Sequence, residues 1–153
     1  MAEIQPGERI PSFTLPDQNG QPFDVDQALG KKNLVIYFYP KDYTPGCTKE
    51  ACRFRDEFDD FKKADATVIG ISSDSPEMHK KFAERYRLPF TLLSDRKNEV
   101  RKKFGVKGSL MGLLPGRVTF IADKEGVVRH TFNAQFKAEE HVEEALRVLK
   151  ELQ

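Results

Sequence analysis

The chain has 153 residues, 39% of them hydrophobic and 32% charged, which fits one soluble globular domain with a core of its own. Its 25 basic and 24 acidic side chains are interleaved and leave a net charge of +1, arguing against nucleic-acid or anionic-membrane partners recruited by charge. No apolar run approaches the ~20 residues of a membrane span, and the polar start MAEIQPGERIPSF carries neither a signal-peptide core nor an Arg/Ser-rich transit pattern, so the expected location is the cytoplasm.

Residues 11–30 predict a small β-hairpin, SFTLPD and QPFDV on either side of the turn QNG. NLVIYFY, residues 33–39, is a continuous run of β-branched and aromatic residues and predicts a strand buried on both faces. Pro40 ends it, because proline has no N–H for the ladder. After the turn KDYTPG, apolar residues at Ala51, Phe54, Phe58 and Phe61 predict one helix over about 46–63. ATVIGIS, residues 66–72, predicts a second buried strand. SPEMHKKFAERYRL predicts a helix capped by Ser75, with Pro76 in its first position and Met78, Phe82 and Tyr86 inward.

FTLLSD reads as a short strand, KNEVRKKF as a short helix and GVKGSLMGLLPG as a glycine-punctuated loop. RVTFIAD and VVRHTFN predict two strands around the turn KEG. KAEEHVEEALRVLKEL predicts an amphipathic helix with Val142, Ala145, Leu146 and Leu149 inward. There is no internal repeat. The order, a hairpin, then β-α-β-α-β-α, then β-β-α, predicts an α/β fold: a mixed central sheet flanked by helices on both faces, thioredoxin-like, with an N-terminal β-hairpin extension.

Both cysteines, Cys47 and Cys52, lie in YPKDYTPGCTKEACRF. Two cysteines make no secreted disulfide framework; in a reducing compartment they are reactive, metal-binding or structural. Cys47 falls where a buried strand hands over to a helix. The first turn of a helix has unpaired N–H groups and the positive end of the dipole, so a thiolate is favoured there over a thiol. The Thr44 hydroxyl, just upstream, is available to a thiolate or a bound oxygen, and Pro45 and Gly46 leave the backbone bare beside the sulfur. The competing reading is that Cys47 is a small buried hydrophobe.

Five helical residues rise about 7.5 Å, which puts the two Cα atoms about 8.6 Å apart. A disulfide needs roughly 7 Å or less. If both cysteines are helical, they can bond only when the helix start unwinds.

Other chemistries fit less well. Cys47 to Arg53 is also Cys-x5-Arg, the spacing of a phosphate-cradling loop, but no glycine lies between them and Glu50 does, which repels a phosphate. A zinc site needs about four ligands; two cysteines with the scattered His79, His130 and His141 form no recognisable set, and each histidine reads as an exposed helix or strand residue. No cofactor or metal is expected.

The segment YPKDYTPGCTKEACRFRD resembles the active site of peroxiredoxins of the bacterioferritin-comigratory-protein or Q type. Their Pro-x-x-x-Thr-x-x-Cys pattern is met by Pro40, Thr44 and Cys47, and Cys52 stands at the branch's resolving position. PDQNGQPFDV, SSDSPEMHKKF, LPFTLLSD and GSLMGLLPGRVTFIADKEGVV through NAQF extend the resemblance over nearly the whole chain.

The resemblance implies a thiol peroxidase acting on hydrogen peroxide and organic hydroperoxides. Cys47 would be the peroxidatic nucleophile, oxidised to a sulfenic acid. Thr44 would bond the thiolate and the peroxide, and Arg117 would stabilise the thiolate and the polarised O–O bond. Glu50 would orient an arginine, and Pro40 would shield the site from water. Cys52 would close an intramolecular disulfide, reduced by thioredoxin or a similar dithiol protein, and the resemblance points to a monomer. Taken alone, Arg117 reads equally as a surface arginine, Glu50 as a first-turn acid favoured by the dipole, and Pro40 as a strand terminator. A non-catalytic thioredoxin-like binding module would have no need of Thr44 and Arg117 beside a helix-start thiol.

Overall fold

The computed structural model describes residues 2–107, 116–134 and 137–152. Strands β1 (Thr14–Pro16) and β2 (Pro22–Asp24) form the expected hairpin, closed by Asp17, whose carboxylate accepts from the Asn19 and Gln21 N–H groups. A short 3-10 turn at Val25–Gln27 leads into β3 (Asn33–Phe38), buried at every residue. Two helices follow, α1 (Pro45–Asp56) and α2 (Phe58–Lys63), then β4 (Ala66–Ser72) and α3 (Pro76–Tyr86). The chain continues through β5 (Thr91–Ser94), α4 (Glu99–Lys103), β6 (Val118–Ala122), β7 (Val128–Asn133) and α5 (Ala138–Glu151).

The main sheet has the order β5-β4-β3-β6-β7. β3 pairs parallel with β4, and β4 with β5, because helical crossovers join them; β6 and β7 run antiparallel. Side chains of β3 alternate between two cores. Val35, Tyr37 and then Tyr39 pack with α1, α2, α3 and α5 on one face. Leu34, Ile36 and Phe38 pack on the other, against Val100 and Phe104 from α4 and its end and against Ile10, Phe13 and Val25. The fold is therefore the expected thioredoxin-like α/β architecture with a hairpin extension.

Two expectations change. The helix expected over 46–63 is two: Glu57 leaves helical geometry at φ −98°, ψ 11°, ending α1 and starting α2. Apolar spacing runs unbroken across that residue, so the pattern carried no sign of the break. Met78 is not on the inner face of α3 but exposed, and His79 takes the buried position with Phe82 and Ala83. Both cysteines lie within α1 and both are free thiols.

Ser75 caps α3 as expected, accepting from the Met78 N–H at 3.1 Å. Most of the glycine-punctuated loop (108–115) and residues 135–136 of NAQF lie outside the described residues. Among the described residues no helix is long and apolar enough to cross a membrane.

Candidate active site

The end of β3 and the start of α1 build the site. Tyr39 stays tied to the sheet, its N–H donating to the Ile71 carbonyl at 3.1 Å. Pro40, half-buried, then turns the chain away, and Tyr43 adopts φ 68°. Thr44 is the N-cap residue, Pro45 occupies the first helical position, and Cys47 is third. The first rung of α1 runs from the Thr48 N–H to the Thr44 carbonyl at 2.8 Å. The N–H groups of Gly46 and Cys47 precede that rung, so the positive end of the helix lies beside the Cys47 side chain.

Thr44 does not bond the thiol in this structure. Its hydroxyl donates to the Lys41 carbonyl at 2.8 Å and does not cap the helix. With its proton so engaged, the oxygen can accept from an incoming O–H.

Arg117 sits immediately before β6 and reaches across to α1. It is buried, 4% exposed, so the surface-arginine reading fails. Nη1 donates to Glu50 Oε1 at 2.5 Å, and Nη2 lies 3.3 Å from Cys47 Sγ. Glu50, one helical turn beyond Cys47, thus holds the guanidinium fork against the sulfur. Gly46 permits the approach, since a Cβ there would stand 3.0 Å from Arg117 Nη2. Cys47 and Glu50 are 1% and 0% exposed.

Burial dominates the protonation of Glu50. Desolvation pushes its carboxyl up to about 8 against the pull of Arg117. Arg117 itself moves up: burial disfavours its cation, but Glu50 and Cys47 together outweigh that. The proton that leaves first as pH rises is therefore the carboxyl's. Glu50 Oε2 has no hydrogen-bond partner among the described residues and lies 3.8 Å from His141 Nδ1. Burial lowers His141 to about 4, so the ring is neutral. Its Nε2 donates to the Ala134 carbonyl at 2.8 Å, and Nδ1 accepts from the Thr119 hydroxyl at 2.7 Å.

The Glu50 pKa, raised on folding, makes a stability prediction. Its contribution is fully present below the unfolded value near 4.5 and is lost as pH rises through about 8. Denaturant titrations of wild type and Glu50→Gln should nearly coincide at pH 5. By pH 9 the glutamine variant should be the more stable, by on the order of a few kcal/mol. A stability difference independent of pH would contradict this.

A second buried network lies behind the turn. Tyr39 donates its hydroxyl to Asp42 Oδ1 at 2.5 Å, His79 Nδ1 meets Asp42 Oδ2 at 2.6 Å, and His79 Nε2 donates to the Leu93 carbonyl at 3.0 Å. Asp74 Oδ2 accepts from the Asp42 N–H at 2.8 Å and the Ser72 hydroxyl at 2.6 Å. Asp42, Asp74 and His79 bring potential metal-ligand atoms within 4.8 Å of one another. The Asp42 oxygens, Asp74 Oδ2 and both ring nitrogens are already hydrogen-bonded, so the cluster reads as a brace for the turn.

The histidine expectation is corrected accordingly. His79 and His141 are fully buried, and only His130 is partly open, 3.0 Å from Glu144. Sequence reading treated histidine as a surface residue, and it missed Asp42, His79 and His141. The available signal was position: His79 stands at 79, 82, 83, 86, the spacing of an inner helical face.

Cys52 is half-buried, and burial pushes its thiol up. Arg53 turns away from Cys47 toward Glu57 at 3.2 Å and toward Glu139 and Glu143, each at 3.5 Å. Cys47 through Arg53 is continuous helix, so no loop exists there to wrap a phosphate, and the Cys-x5-Arg reading fails.

Fold and site together define a thiol-based oxidoreductase of the thioredoxin-like class. The model of the AhpC/TSA family matches residues 6–131. Peroxiredoxin Q, chloroplastic, of Populus jackii is 53% identical over 99% of this chain and 70% of its own length. The protein of that name from Sedum lineare is 54% identical over 99% of this chain and 81% of its own. The crystal structure of peroxidoxin BcpB from Mycobacterium tuberculosis superposes with a TM-score of 0.91 at 38% identity, covering 99% of both chains. The bacterioferritin comigratory protein of Xanthomonas campestris, described with alkyl peroxide reduction activity, gives 0.84 at 30% identity over 98% of this chain and 97% of its own. The chain belongs to the AhpC/TSA family, in its peroxiredoxin Q branch.

Proposed function

We propose that this protein reduces hydroperoxides, hydrogen peroxide and organic hydroperoxides alike, through Cys47, and so serves antioxidant defence. The observation that carries the reading is the Arg117 Nη2 contact with Cys47 Sγ at 3.3 Å, at a helix N-terminus and braced by Glu50. The Cys47 thiolate attacks the terminal peroxide oxygen. The O–O bond breaks, the departing oxygen takes a proton and leaves as alcohol or water, and sulfur becomes sulfenic acid. Arg117 faces the charge that develops on the oxygens. Thr44, its proton held by Lys41, accepts from the peroxide O–H, and Pro40 limits water.

Cys52 then attacks the sulfenic sulfur, water leaves, and a Cys47–Cys52 disulfide results. Thioredoxin or a similar dithiol reduces it by exchange, becoming a disulfide itself. Cys47 is buried and both cysteines share one helix, so this step requires the start of α1 to unwind from its packing on α5. We assign the cycle to a monomer in the cytoplasm, where dithiol reductants keep thiols reduced.

One equivalent of peroxide should leave the reduced protein lighter by two hydrogens, monomeric, with no free thiol by mass spectrometry. Cys52→Ser should still oxidise at Cys47 but lose thioredoxin-coupled turnover. Retention of both thiols, or a covalent dimer as the sole product, would count against the proposal.

A further inference from the structure

We propose that Arg101 is a positioning residue for the peroxide step, its guanidinium clamping together the two backbone limbs that carry Cys47 and Arg117. The proposal rests on the peroxidase reading above and deepens it. Nη2 of Arg101 donates to the Tyr39 carbonyl at 3.1 Å, and Nη1 donates to the Gly116 carbonyl at 2.9 Å. Tyr39 is the residue before Pro40, where the turn to α1 begins. Gly116 is the residue before Arg117. One planar fork thus spans the two chain segments whose separation fixes the Arg117–Cys47 contact.

Arg101 is itself held firmly. Its N–H and that of Val100 donate to the two oxygens of buried Asp95, at 2.9 and 3.1 Å, fixing the start of α4. Its guanidinium carbon lies 5.5 Å from the centre of the Phe38 ring. The far limb is fixed as well: a Cβ on Gly116 would stand 2.0 Å from the Lys107 carbonyl oxygen, so that backbone crosses with no room for a side chain.

Arg101 is only 7% exposed, while its neighbours Lys102 and Lys103 are exposed. Among the described residues it makes no ion pair within 4.0 Å. Burial draws it down to about 10, against the opposing pull of Asp95 and Cys47. Burying a cation outside a direct ion pair is costly, even with Asp95 nearby. What the arginine offers instead is the two-point span. Misplacement of a reacting group by about 1 Å costs on the order of 10²-fold in rate, so a clamp on these limbs bears directly on the peroxide reaction.

The test compares two reactions of the same thiolate in the full reduced chain. The first is single-turnover oxidation by hydrogen peroxide, which needs Arg117 placed on the departing oxygen. The second is alkylation of Cys47 by iodoacetamide, read by peptide mass spectrometry, which does not. In Arg101→Lys, which keeps the charge but cannot hold both carbonyls in one plane, the ratio of peroxide to alkylation rate should fall about tenfold or more. Arg101→Met should fall at least as far.

A wild-type ratio in Arg101→Lys overturns the clamp, and so does an equal loss of both rates, which is what a merely structural role would give. If the methionine variant fails to fold, the lysine variant decides alone. Should wild-type protein react with peroxide no faster than free cysteine does, the peroxidase reading itself fails, whatever the variants do.

Discussion

Cys47→Ser is expected to reduce peroxide turnover to the rate of buffer alone. A serine hydroxyl fits the same site and can accept from Arg117, so the variant should fold. It has no accessible anion at neutral pH, and its oxygen cannot be taken up to a sulfenic acid. Cys52 cannot stand in. It lies in the second turn of α1, where burial pushes its thiol up, and the Arg117–Glu50 pair is set against Cys47. The chain has no tryptophan, so the measurement is mass spectrometry of the peroxide-treated protein beside a thioredoxin-coupled assay. A first-step rate in Cys47→Ser equal to wild type would sink the assignment. Hydrolysis of p-nitrophenyl phosphate, tested on the same samples, should be absent from both.

The parts of the molecule that could be read from sequence were those set by local pattern. NLVIYFY announced a strand buried on both faces because no polar residue interrupts it, and the structure sends alternate residues into two separate cores. The hairpin followed from QNG, and α3 from Ser75–Pro76. Cys47 could be placed at a helix start because Pro45 and Gly46 follow a strand-ending proline. What could not be read depends on partners distant in sequence. His79 looked polar and therefore external; it is internal because Asp42, 37 residues away, and the Leu93 carbonyl satisfy both ring nitrogens. Arg117 stood equally for a surface residue until Glu50, 67 residues away, was seen to hold it against the sulfur. Arg101 sat unremarked in KNEVRKKF, one cation among several. Only the fold shows that it faces inward while the adjacent lysines face water.

Arg117→Met should slow the reaction with peroxide by about 10²- to 10³-fold, the usual cost of removing one preorganised donor from a developing oxyanion. Methionine nearly matches the volume but brings no charge, and it leaves Glu50 buried without its cation. The carboxyl then rises further and remains protonated at neutral pH, which spares the fold the cost of a bare buried charge. The loss should therefore appear in the oxidation rate rather than as unfolding. Arg117→Lys keeps the charge, but an ammonium cannot serve Glu50 and the sulfur with one rigid fork, so its rate should fall between the two. Glu50→Gln alone should cost less than either, because the amide oxygen still accepts from Nη1. Once Arg117 is gone, Glu50→Gln should cost nothing further, since its effect on the sulfur runs through the arginine. Rapid-mixing oxidation of the four variants measures this order, and a wild-type rate in Arg117→Met would remove the guanidinium from the mechanism.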